Sequence, residues 1–233
     1  MYVYGLTSAG NDVEARGIGD VPVSTVEHGE LAAIVSRVGD ASLRAKRRDL
    51  LRHSDVLQAA FAHAAVVPLR FGVVFDSEDA LVADLLGARY EELVTLLQRI
   101  DGFAELRLRA SFVERELLAE IVREDSRIAA LRGTPGAGQV ELGEAVAHAV
   151  AAKRAAATEA LLAAVGPLAL EMRVDEPRDE YEVIRGSFLV DRRGTTAVES
   201  AADDFARNNA GRMQVELIGP MPPHSFVGLE GGG

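Results

Sequence analysis

Five histidines, His28, His53, His63, His148 and His224, are the first residues to weigh, because imidazole binds metals and moves protons near neutral pH. No two of them stand at the i, i+4 spacing that sets two ligands on one helix face, so no metal site is predicted. The chain has no cysteine, which removes thiolate nucleophiles, zinc–sulfur sites and iron–sulfur clusters. Ser187 lies in Gly186-Ser187-Phe188, inside a strand pattern and without the flanking residues of a nucleophile elbow. Gly133, Gly136 and Gly138 are followed by no Lys-Ser or Lys-Thr and preceded by no strand, so they read as a linker rather than a phosphate loop. Glu114, Glu116 and Glu120 near one helix start, and Asp203-Asp204 on another helix, suit dipole complementation and solvated faces. The expectation is no catalytic residue, no metal, no cofactor and no enzyme.

Two segments resist a purely structural reading. The run Val66 to Phe75 is apolar and β-branched except for Arg70, and an apolar strand excludes an unpaired charge. Arg70 either pairs with a carboxylate inside the fold or emerges at a surface that binds something. The tail Pro220 to Val227 is stiffened by prolines and carries Phe226; it either straps down a domain or presents an aromatic to a partner. Arg70, Phe71, Pro222, Pro223 and Phe226 are therefore the candidate partner-binding residues.

Around these segments the periodicity predicts strands over 2–7, 21–27 and 31–38, then a helix from Ser42 to about Ala64 with Leu43, Leu50, Leu57, Phe61 and Ala64 on its inner face. Pro68 cannot donate to a ladder, which places the 66–75 run at an edge, a bulge or a strand start. A second helix follows Asp76-Ser77 and ends before Gly102. Residues 105–112 alternate, with Leu106, Leu108, Ala110 and Phe112 inward and Glu105, Arg107, Arg109 and Ser111 outward. A helix over 113–131, a breaker at 132–138, a long alanine-rich helix over 140–165, strands at 168–174 and 181–190, a helix over 196–209 and a strand at 213–218 complete the pattern. The fold class is α+β in two domains, each with helices packed on one face of a largely antiparallel sheet. Boundaries are expected at 1–112 and 113–219, with 220–233 as an extended tail.

At 233 residues the chain is long enough to hold itself together by burial. A net charge of -11 repels phosphate backbones, so no nucleic acid is expected, and the basic cluster Arg44, Lys46, Arg47, Arg48, Arg52 reads as a solvated helix face. No apolar run reaches the length of a membrane span. Met1-Tyr2-Val3-Tyr4-Gly5 lacks the basic and apolar regions of a secretory signal, which makes the cytoplasm the expected compartment.

The two unexplained segments carry a family resemblance. Val67-Pro68-Leu69-Arg70-Phe71-Gly72-Val73-Val74-Phe75, with Arg52-His53 about a helix earlier, resembles the central motif of the gas vesicle protein L/F family (GvpL/GvpF). Glu216-Leu217-Ile218-Gly219-Pro220-Met221-Pro222-Pro223-His224-Ser225-Phe226-Val227 resembles that family's terminus, with Met221 where an aromatic is common and His224 where a tyrosine is common. The opening Tyr2-Val3-Tyr4-Gly5 fits as well. The resemblance implies a ferredoxin-like N-terminal domain and a modified ferredoxin-like α+β C-terminal domain. It also implies a minor structural component or assembly factor of the gas vesicle that contacts the small shell protein, and possible contacts with other gas vesicle proteins.

A strongly acidic surface suits a partner that keeps an apolar subunit in solution. The site expected on this reading is a sheet edge or apolar groove near Arg70 and Phe71. A ferredoxin-like small-molecule-binding regulatory protein is the alternative, and it requires a closed pocket with convergent polar groups. An enzyme is the third reading and requires a cleft gathering Arg70, a histidine such as His53 and a carboxylate.

Overall fold

The computed structural model describes residues 1–37, 46–132 and 137–228. The chain forms two compact units, Met1–Glu105 together with the tail from Pro220, and Leu106–Gly219. The first division thus falls inside a strand and not after residue 112, and the tail belongs to the first unit. Alternation over 105–112 identifies the strand, but it carries no mark of where the packing partner changes.

In the first unit, β1 (Tyr2–Ser8), β2 (Ser24–His28), β3 (Leu31–Ser36) and β4 (Val67–Pro68) form an antiparallel sheet in the order β2-β3-β1-β4. Between β1 and β2 the chain makes only a 3₁₀ turn at Ile18–Asp20. All of β3 is buried, and all of β1 except Ser8. A sheet apolar on both sides needs cover on both. Accordingly α1 (Arg47–Phe61) packs with Tyr2, Tyr4 and Ile34, while α2 (Glu78–Leu81) and α3 (Tyr90–Ile100) pack with the alternate set Val3, Leu31, Ala33 and Val35. Helices on a single face, as expected from the sequence, are therefore not what this unit has; the unalternating run Leu31-Ala32-Ala33-Ile34-Val35 is the physical reason.

The expected start of α1 at Ser42, with Leu43 and Arg44, lies outside the described residues. Within the described part the inner face is Asp49, His53, Val56, Leu57, Ala60 and Phe61, and Leu50 is 44% exposed. The second helix is not one segment but α2, a wider π turn over Val82–Gly87, and α3. Ser77 caps it as expected, its hydroxyl accepting from Ala80 N–H at 3.0 Å.

The second unit runs β5 (Phe103–Phe112), α4 (Glu114–Glu124), α5 (Ser126–Leu131), α6 (Ala137–Val165), β6 (Glu171–Val174), β7 (Glu182–Asp191), α7 (Thr195–Asn208) and β8 (Met213–Met221), with sheet order β6-β7-β5-β8. This is a full β-α-β-β-α-β succession, which the first unit lacks. One core joins Leu106, Leu108, Ala110 and Phe112 of β5 to Leu117, Leu161 and Val198 of the helices, so here the helices do share a face. The expected helix over 113–131 breaks at Asp125, whose carboxylate accepts from the N–H groups of Arg127 (2.9 Å) and Ile128 (3.2 Å) and starts α5. Residues 133–136 of the breaker lie outside the described residues. Pro220 is tolerated in β8 because β8 is an edge strand. Among the described residues no helix is long and apolar enough to cross a membrane.

Candidate functional site

Segment 67–75 lies along β1, but not as one strand. Val67 and Pro68 pair with Leu6 and Gly5, and Leu69 N–H donates to Tyr4 O at 3.0 Å. The chain then bulges outward and returns, with Val74 opposite Tyr2 and Val3 N–H donating to Val73 O at 3.0 Å. The expected uninterrupted run is thus broken at its arginine. Gly72 makes the return with φ 102°, a conformation that other residues resist. Gly5 allows the close approach of β4 and α1, because a Cβ there would lie 2.8 Å from both Val67 O and Leu57 Cδ2. A bulge on an edge strand re-aims a side chain. Arg70 is exposed, and no ion pair is seen for it among the described residues; Phe71 is half-buried behind it.

Underneath, His53 locks the bulge. A carbonyl can only accept, so His53 Nε2 carries the proton that Leu69 O receives at 3.1 Å. His53 Nδ1 is then an acceptor for the Tyr2 hydroxyl at 2.8 Å, and Tyr2 Oη accepts from Gly72 N–H at 3.3 Å. The chain of bonds therefore runs from Gly72 through Tyr2 and His53 to Leu69, closing both ends of the bulge. The Phe71 ring stands 5.8 Å from each of the Tyr2 and His53 rings. Burial pushes His53 down to about 4 and Tyr2 up to about 12, so near neutral pH both carry the protonation states that the bonds require.

The tail closes on the same unit. Pro222, Pro223 and Phe226 are buried, Phe226 with 1% of its surface exposed, so its ring packs inward instead of standing at the surface. Ser225 donates its N–H and hydroxyl to the Glu105 carboxylate at 2.6 and 2.8 Å. Gln58 Nε2 donates to Pro220 O at 3.1 Å, and Arg99 to Phe226 O at 3.4 Å. Glu105, placed on the polar outer face by its alternation, is in fact fully buried under the tail.

Of the five candidate residues, only Arg70 is exposed. Sequence reasoning gave Tyr2 and Glu105 no role in a site, and weighed His53 as a metal ligand, as part of the family motif and as a partner for Arg70 in a cleft. Both ring nitrogens of His53 are already committed, which leaves no imidazole atom for that constellation. In the second unit a cavity of about 530 Å³ is lined by Arg109, Asp179, Tyr181 and Glu216 among others. Arg109 Nε there donates to buried Glu182 at 3.0 Å.

A family model described as gas vesicle synthesis protein GvpL/GvpF matches residues 1–228. Gas vesicle protein F of a Streptomyces species is 33% identical, over 97% of this chain and 98% of its own. Gas vesicle protein L of the same strain is 29% identical, over 98% of this chain and 93% of its own. The crystal structure of the gas vesicle protein GvpF from an Anabaena species superposes with a TM-score of 0.88 at 19% identity, over 99% of this chain and 98% of that one. At that identity the likeness speaks for the fold.

Proposed function

The chain belongs to the gas vesicle synthesis protein GvpL/GvpF family, and from that premise we propose that it is a non-enzymatic accessory protein that binds the small shell protein during vesicle formation. The observation that supports this reading is the bulge at Leu69–Gly72. An edge strand is broken there, at the cost of ladder bonds, and the break turns one guanidinium into solvent over a hydrogen-bond chain that fixes the backbone on both sides of it. A planar fork of five donors at a sheet edge is suited to carboxylates or to the free carbonyls of an extended segment. β4 itself is two residues long, so the edge contributes little strand pairing and Arg70 contributes the specificity. The tail acts from inside, packing Phe226 into the unit that carries the bulge.

The test is co-expression with the small gas vesicle shell protein followed by affinity capture. Capture of soluble shell protein is expected, and an unrelated acidic α+β protein should capture none. A folded chain that captures no shell protein overturns the reading.

A further inference from the structure

The sheet of the second unit ends at β6, which pairs only with β7 among the described residues. Its row Leu170, Met172, Val174 is 65%, 44% and 50% exposed. Met172 stands opposite Phe188, which is fully buried, so this row lies on the helix-covered face and overhangs its rim. Glu171 and Arg173 stand on the other face, 3.6 Å from each other. Asp175 N–H bonds inward to Arg185 O, and alternation along an antiparallel strand then turns the backbone groups of Met172 and Val174 outward. A solvent-facing apolar edge with unused backbone groups is a template for another strand, and neither proline nor lysine blunts this one.

We propose that β6 is the interface of a homodimer, in which two copies pair antiparallel about a two-fold axis at Met172 and join their sheets into one of eight strands. The occupant is a second copy because the strand is complementary to itself read backwards. In that register Leu170 faces Val174 of the second copy, Glu171 faces Arg173, and Arg173 faces Glu171, so each charge meets its opposite twice per interface. Met172 exchanges both of its outward backbone bonds with Met172 of the second copy. An axis at Arg173 would set two guanidiniums against each other and one at Glu171 two carboxylates; an axis at Val174 would set Arg173 against Asp175 but leave Glu171 and Leu170 beyond the paired stretch, so the Met172 axis alone uses both charges of β6 and its whole apolar row. The apolar rows then cover each other at the rim of the helix layers. The dimer is independent of the Arg70 surface, which lies in the other unit.

Sedimentation velocity on the full chain, from micromolar to hundreds of micromolar, is expected to show a reversible monomer–dimer equilibrium. E171R or R173E alone places like charges opposite each other twice and should weaken the dimer on the order of tenfold. The double variant E171R/R173E restores the complementarity and should restore the dimer; an equimolar mixture of the E171R and R173E chains sets opposite charges across the interface while each chain keeps two like charges of its own, so recovery of a mixed dimer there separates pairing from the intrachain contact and from a folding defect. A chain that stays monomeric throughout, including one that instead captures a strand of another protein there, overturns the proposal. So does a dimer indifferent to the single reversals, or one that the double variant fails to recover.

Discussion

Tyr2 and His53 share a 2.8 Å hydrogen bond, in which the first residue of β1 donates to an imidazole on α1 that in turn holds Leu69. Tyr2→Phe leaves the buried His53 Nδ1 and the N–H of exposed Gly72 without their partner. The expected cost is about 2 kcal/mol, almost all of it from His53 Nδ1, since an orphaned buried group costs roughly 1–3 kcal/mol. Urea unfolding measures it, and faster amide exchange at Gly72 should accompany it.

The same pair predicts a pH dependence. Burial holds His53 at about 4, below the roughly 6.5 of an unfolded histidine, so between those values the unfolded chain binds more protons. Stability is therefore fully present above about 6.5 and is lost as the pH falls toward 4, by about 3 kcal/mol. Protonated Nδ1 can no longer accept from Tyr2, which is the structural face of that loss. His53→Gln should flatten this part of the stability profile; an unchanged slope would assign it to other groups.

What could be read from the sequence, and what could not, divides by range of interaction. The Ser77 cap and the inward set Leu106, Leu108, Ala110 and Phe112 depend on neighbours along the chain, and the structure has them as expected. On α1 the expected inner residues Leu57 and Phe61 are buried, whereas Leu50 is 44% exposed and Asp49 and His53 take inward places that hydrophobicity alone does not assign to them. Val56, Leu57, Ala60 and Phe61 turn that face inward, and the Tyr2 hydroxyl that satisfies His53 there lies 51 residues away. Glu105 looked solvated for the same reason, its partner Ser225 being 120 residues distant. Arg70 was conspicuous as a lone charge in an apolar run, but the bulge that exposes it depends on Gly72 and on the bonds beneath it.

The Glu105–Ser225 contact makes the tail a separable test. Glu105→Gln replaces a charged acceptor of two hydrogen bonds by an amide and should cost about 1–2 kcal/mol. It should also speed removal of the tail by a carboxypeptidase. Phe226→Ala empties a fully buried ring site and should cost about 3–5 kcal/mol, read as a lower urea midpoint. A Phe226→Ala chain as stable as the parent would mean that the tail is not part of this unit's core in solution.

Arg70 should behave in the opposite way, because its side chain is exposed and the bulge is held by backbone and by His53. Arg70→Ala is expected to change stability by no more than about 0.5 kcal/mol. If the guanidinium makes the specific contact, the same substitution should abolish capture of the shell protein. Arg70→Lys keeps the charge and loses the fork, so it should recover little of that capture. Full recovery by lysine, with binding that fades as salt is raised, would mean that a point charge suffices and that the planar fork at the bulge is not what the partner reads. Unchanged capture by the alanine variant would remove Arg70 from the binding surface altogether, and the rigid bulge would then need another purpose.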